Sequence, residues 1–237
     1  LKQLSVMGYK HVEHANYVNR KFYGFTVLEF RNVLDGMGLK MPSGHTVMGP
    51  QHWDESKKDF ADAWKYTVED AAAMGQQFVI SPSMDSRYKT NYDELKRFME
   101  VFNKCGELCK KSGMKFGYHN HDFEFRKIDD QLIYDFSLDN VSPNHVFFEM
   151  DVYWVMMGGG DPVAYLKNRP SQFKAIHIKD EKEIGASGKM NFKPIFDQMY
   201  ANNVKDWYVE VEQYTNNDPV ASVQQSYDFL NKADYVK

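Results

Sequence analysis

Four short stretches of this 237-residue chain carry ionisable side chains two residues apart: His119 and His121, Glu149 and Asp151, His177 and Lys179, Glu210 and Glu212. Each pair closes an apolar run, and the runs read as strands over Met114–His119, His145–Val152, Phe173–Lys179 and Trp207–Glu212. Side chains two apart on a strand face the same way, so each pair projects from one face. A single polar strand end is ordinary. Four of them, built only from His, Asp, Glu and Lys, predict a shared site. Carboxylates and imidazoles gathered in a partly apolar pocket repel or desolvate one another unless a cation neutralises them. One divalent ion is the economical answer. An oxygen and nitrogen donor set without thiolate suits Mn, Mg, Co or Zn alike. Such an ion holds two adjacent oxygens of a sugar and polarises a carbonyl. A carboxylate beside it can then move a proton at the neighbouring carbon.

The elements that must position these groups are marked by glycine. Gly8, Gly38, Gly75 and Gly113 each precede an apolar run, at Tyr9–Glu13, Leu39–Pro42, Gln77–Ile80 and Met114–His119. Glycine just past a helix end supplies the left-handed cap, and the spacing fits one strand plus one helix per repeat. Between the glycines, apolar residues three and four apart predict amphipathic helices over Phe25–Met37, Asp54–Met74 and Tyr92–Lys111. Asp161-Pro162 and Asp218-Pro219 are helix-start signals, predicting helices to Asn168 and Ala233, and Phe192–Ala201 is a further helix. Gly158-Gly159-Gly160 reads as a flexible loop rather than an anion-binding nest.

Seven strands alternating with helices predict a parallel sheet. No glycine-rich phosphate or dinucleotide motif follows the early strands. Polar residues close nearly every strand, not only two at a switch point. The expected architecture is therefore an α/β (β/α)8 TIM barrel, in which the carboxyl ends of all strands form one ring. Its first strand is expected before Leu1. Residues 1–7 read as the end of a helix, with any targeting segment lying upstream. No linker or low-complexity tract divides the chain, so residues 1–237 are read as one domain.

Hydrophobic residues make up 43% and charged residues 26%, an ordinary globular mixture. The net charge of −4 argues against general affinity for nucleic acid or an anionic membrane. No apolar run approaches the ~20 residues needed to span a bilayer. The sequence does not choose between cytoplasmic and periplasmic placement, and it is compatible with a homo-oligomer. Cys105 and Cys109, the only cysteines, read as small buried apolar residues on one helix face. Aromatic residues at 15% suit a large core and a sugar-stacking surface, for which Trp53, Tyr153 and Trp154 are candidates alongside a core role. His11, Glu13, His14 and His45 lie at earlier strand ends. Of these, Glu13 and His45 are candidates for lining the pocket, whereas His52 and His145 read as loop or surface residues.

The stretches Tyr118-His119-Asn120-His121-Asp122-Phe123-Glu124-Phe125, Phe148-Glu149-Met150-Asp151-Val152-Tyr153-Trp154, His177-Ile178-Lys179-Asp180 and Glu210-Val211-Glu212-Gln213 resemble the motifs of xylose-isomerase-like TIM barrels. This is the sugar phosphate isomerase/epimerase group, related to inosose dehydratase and endonuclease IV. The resemblance runs from Gly8 onward. It implies one divalent metal held by Glu, Asp, His and Glu from four strands, of which Asp151, His177 and Glu210 match the last three. His119 stands where many members have Glu, leaving His119 or His121 as the first ligand. Glu149, Lys179, His121 and Glu212 are then the acid–base and substrate-binding candidates. The resemblance implies isomerisation or epimerisation of a small carbohydrate by proton transfer next to a carbonyl. The alternative is a lyase or dehydratase of a keto-sugar or keto-glycoside, since both begin by removing the same proton. A DNA-repair endonuclease would want more His ligands and a basic groove. A non-catalytic sugar-binding barrel is the remaining reading.

Overall fold

From Phe173 to Lys179 the chain is buried at every position except Lys174, and five of its seven residues are Phe, Ala, Ile, His and Ile. Such a nearly continuous buried run is what a parallel strand covered on both faces requires. The computed structural model describes residues 1–237. They fall into two units: Leu1–His119 with Arg126–Phe147, and Asn120–Phe125 with Phe148–Lys237.

In the first unit four strands run parallel. They are β1 (His11–His14), β2 (Lys40–Gly44), β3 (Phe78–Ser81) and β4 (Lys115–His119). β1 pairs with β2, placing His14 opposite Gly44, and β3 pairs with β4, placing Ser81 opposite Tyr118. β2 joins β3 through Gln77 N–H donating to Pro42 O at 2.7 Å and Thr46 N–H to Ile80 O at 2.8 Å. Helix α1 (Lys2–Met7) precedes β1. The helices α2 (Val27–Asp35), α3 (Asp62–Met74) and α4 (Tyr92–Lys111) connect the strands, and α5 (Ile133–Asp139) follows β4. Gly8, Gly38, Gly75 and Gly113 all take positive φ, as the cap reading requires. Phe22, Phe30, Leu34, Leu39, Met41 and Met74 form one buried cluster. Trp64, Phe102, Phe116 and Tyr118 fill the space between α3, α4 and β4.

The second unit is built on β5 (Val146–Asp151, from Phe148 onward), β6 (Phe173–Lys179) and β7 (Asp206–Glu210), again parallel. The register sets Asp151 opposite His177 and Lys179 opposite Glu210. Helices α6 (Val152–Met157), α7 (Pro162–Asn168), α8 (Phe192–Ala201) and α9 (Pro219–Lys232) complete it. Asp161 and Asp218 cap α7 and α9 from the position before proline.

Several boundaries differ from the sequence reading. The second amphipathic helix, α3, begins at Asp62, not Asp54, because the Asp54 carboxylate accepts the Ser56 and Lys57 N–H groups and turns the chain into a hairpin (Trp53–Asp54 with Asp59–Phe60). α2 begins at Val27, where Thr26 and Glu29 form a capping box. α5 and α6 were not legible as separate helices. β4 stops at His119 and β7 at Glu210, so His121 and Glu212 lie beyond the strands and the two-residue alternation does not extend to them. The three glycines form the turn that follows α6. Gly158 ends α6 against the Phe125 ring, and a Cβ on Gly158 would lie 2.4 Å from Phe125 Cγ.

Candidate metal centre

Asp151 stands where β5 becomes α6 with no intervening residue. Its Oδ1 accepts the Trp154 N–H at 2.8 Å and so caps the helix. Its Oδ2 is buried with no hydrogen-bond donor. Burial, and then the nearby Glu210 carboxylate, push the Asp151 carboxyl well above the usual range. Two further contacts fix the residue. Asp151 N–H donates to Asn120 Oδ1 at 3.1 Å, and Asn120 Nδ2 donates to Asp151 O at 3.4 Å. Asn120 is itself fully buried. In turn the Glu124 carboxylate accepts the His121 N–H at 2.9 Å, fixing the turn after Asn120. Asn120 and Glu124 were not singled out from the sequence. The signal that could have found them is the Asn between two histidines at a strand end, where a side-chain amide can replace a lost ladder partner.

The β6 and β7 side chains meet this carboxylate. Asp151, His177 and Glu210 each offer a ligand atom, mutually within 4.8 Å. His177 Nδ1 lies 2.6 Å from Glu210 Oε2, and His177 Nε2 lies 3.2 Å from Glu149 Oε2. Glu149 is fully buried. Lys179, also buried, places Nζ 3.0 Å from Glu212 Oε2 and 3.6 Å from Glu210 Oε1. The same ammonium sits 5.6 Å from the Trp154 ring centroid. Burial and then the Glu210 carboxylate raise the Glu212 carboxyl, against Lys179. His121 is placed differently, its ring between Phe123 and Trp154.

These residues fit a divalent cation. Four carboxylates, those of Glu149, Asp151, Glu210 and Glu212, face one lysine and one imidazole. The orphaned Asp151 Oδ2 lacks the positive partner that a buried carboxylate oxygen needs. The donor set is two oxygens and an imidazole nitrogen, with no thiolate.

The first unit has its own polar strand ends. His119 closes β4, buried, with its ring 4.9 Å from that of His45. His45 Nε2 lies 3.0 Å from Glu13 Oε2. His14 is buried as well, and it packs edge-on to Phe22. His52 accepts the Gly49 N–H and lies near Trp64. Trp53 donates to Glu55, and Tyr153 is core.

The chain belongs to the xylose isomerase-like TIM barrel family, which it matches over residues 1–233. It is 27% identical to an inosose dehydratase of Clostridium perfringens over 78% of its length, and spans 62% of that relative. It is 23% identical to an inosose dehydratase of Clostridium beijerinckii over its whole length and 87% of the relative. Among solved structures, a sugar phosphate isomerase/epimerase from Parabacteroides distasonis matches all of the chain and 92% of its own, with 35% identity and a TM-score of 0.90. The TIM-barrel fold expected from the strand pattern is thus that of its family. No helix is long and apolar enough to cross a membrane.

Proposed function

We propose that the protein is a divalent-metal-dependent enzyme that moves a proton next to the carbonyl of a small carbohydrate, as an isomerase or epimerase. The observation that carries this is the grouping of the buried Asp151 and His177 with Glu210 beside the Lys179–Glu212 ion pair. These three residues would hold the ion. His119 is the proposed fourth ligand, because the next residue, Asn120, grips the Asp151 backbone. When bound, the ion would hold two neighbouring sugar oxygens and polarise the carbonyl. Glu210, partly exposed and bonded to His177, orients the substrate. Lys179 and Glu212 hold and return the proton, with the half-exposed Glu212 passing it to solvent. Trp154 and His121 offer flat faces for the sugar ring. The chain is proposed to act as one catalytic domain on a small carbohydrate, without nucleic acid or membrane.

A second reading is supported by the names of the inosose dehydratase relatives. The same proton removal can be followed by loss of a hydroxyl or glycosidic oxygen, with the Lys179 ammonium as the acid. One experiment separates the two. The protein is loaded with Mn²⁺ and given a panel of keto-sugars in D₂O. An isomerase or epimerase washes deuterium into product or recovered substrate, and a lyase or dehydratase also releases water or an aglycone. Mn²⁺ binding without exchange or turnover would leave a sugar-binding barrel. For Glu210→Gln, activity is expected to fall ~10²–10⁴-fold and metal affinity to fall with it. Full turnover with undiminished metal would remove both roles from Glu210.

A further inference from the structure

His177 has a carboxylate at each ring nitrogen, and the two are not equivalent. Glu210 meets Nδ1 at 2.6 Å from the last position of β7, where its side chain is 24% exposed. Glu149 meets Nε2 at 3.2 Å, with a side chain that is 0% exposed. The register explains the difference. Asp151 lies opposite His177, whereas Glu149 lies opposite Ala175, two residues earlier on the strand. At about 3.3 Å per residue that is a step of roughly 6–7 Å away from the strand end. Asp151 and Glu210 share the grouping that fits a cation. Glu149 touches the imidazole from the opposite nitrogen.

Resting on the metal reading above, we propose that Glu149 is a positioning residue rather than a proton-transfer group. It accepts a hydrogen bond from His177 Nε2–H and so fixes the tautomer in which Nδ1 presents its lone pair to the cation. A neutral imidazole has one donor nitrogen and one acceptor nitrogen. A carboxylate that claims the donor settles which nitrogen ligates, and it also raises the basicity of that nitrogen. Glu149 suits this task by its burial and by its place beside Nε2. Its side chain is fully buried, and a group without access to water is a poor acid–base catalyst. The ring's orientation is secured by the strand backbone, by Glu149 at Nε2 and by Glu210 beside Nδ1, where a bound cation would add to it. Of the acid–base candidates, Lys179 and Glu212 then remain to move the proton.

The test is titration of the metal-free protein with Mn²⁺ by calorimetry, for wild type and Glu149→Gln. The variant is expected to bind one ion per chain, as wild type does, with affinity ~10–100-fold weaker. Unchanged affinity with loss of turnover would overturn the proposal in favour of acid–base chemistry. A drop in the number of ions bound would overturn it in favour of direct ligation. A wild-type protein that takes up no Mn²⁺ would overturn the metal reading itself, which separates that failure from this one. Should Glu149→Gln fail to fold, the wild type alone suffices. In ¹⁵N-histidine spectra of the Zn²⁺-loaded protein, His177 should carry its proton on Nε2, and a proton on Nδ1 would refute the assignment.

Discussion

Asp151 divides its two oxygens between two tasks. Oδ1 ends a helix, and Oδ2 is left buried without a donor. Asparagine keeps the cap, since it is as good a cap as aspartate, but removes the charge. Asp151→Asn should therefore leave the metal-free protein at least as stable, because an uncompensated buried carboxylate is lost. It should abolish the stabilisation that Mn²⁺ confers on wild type, about 2.7 kcal/mol at a hundredfold excess over Kd. Thermal melts with and without Mn²⁺ read both effects. A Mn²⁺ shift retained in the variant would deny Asp151 its role as ligand. Asn120→Ala removes both bonds to the Asp151 backbone and should likewise reduce the Mn²⁺ shift, although Asn120 carries no charge. At this scale the ionisable types and their spacing were legible. Asn120 and Glu124 were not, because their work is done by hydrogen bonds to backbone that no residue pattern announces.

Among the elements, those whose ends carry their own chemistry were legible. α4, α7, α8 and α9 have Asn, Asp-Pro or Gly at their limits, and the structure ends them there or within one residue. The start of α3 was missed because the apolar period runs back through Phe60 while the Asp54 turn breaks the backbone. α6 was hidden because a six-residue apolar helix of Val, Tyr, Trp and Met reads like the strand before it. Its C-terminal end is held by contact. A methyl group on Gly158 would enter the Phe125 ring, so Gly158→Ala should cost about 1–3 kcal/mol by overpacking. Phe125→Leu in the same chain should recover part of that loss. Urea denaturation of the single and double variants tests the pair. Additive losses would mean that the glycine is needed for some reason other than Phe125.

Across the whole molecule, acid should act through histidine before carboxylates. Burial is the main cause that lowers His14 from 6.5 to about 4, with His45 adding to it against Glu13. A folded value below the unfolded one means that both states are neutral above pH 6.5. As pH falls from 6.5 to 4 the unfolded chain gains the proton first, and stability is lost over that window, by about 3 kcal/mol. Glu183 opposes burial with donors from Ser222 and Thr215, which hold it near 2. Its contribution is present above pH 4.5 and is lost as pH falls toward 2. His14→Gln should flatten the upper part of the profile in urea titrations between pH 7 and 4, and an unchanged slope would show that His14 protonates without opening its site. None of this was visible beforehand. The seven parallel strands followed from glycine spacing and apolar runs, but the depth at which a polar residue sits is set by packing.

The junction of β5 and α6 contains no spare residue. Strand ends at Asp151 and helix begins at Val152. With 3.6 residues to a turn, one added amino acid at this point would rotate everything after it by about 100° about the helix axis. Trp154 would leave Lys179, and Asp151 would lose the N–H it caps. Length variation tolerated by the protein should therefore collect elsewhere, in the mostly exposed residues 188–191 before α8. A random single-codon insertion library, sorted on Mn²⁺-dependent stability, should recover survivors there and none between Asp151 and Trp154.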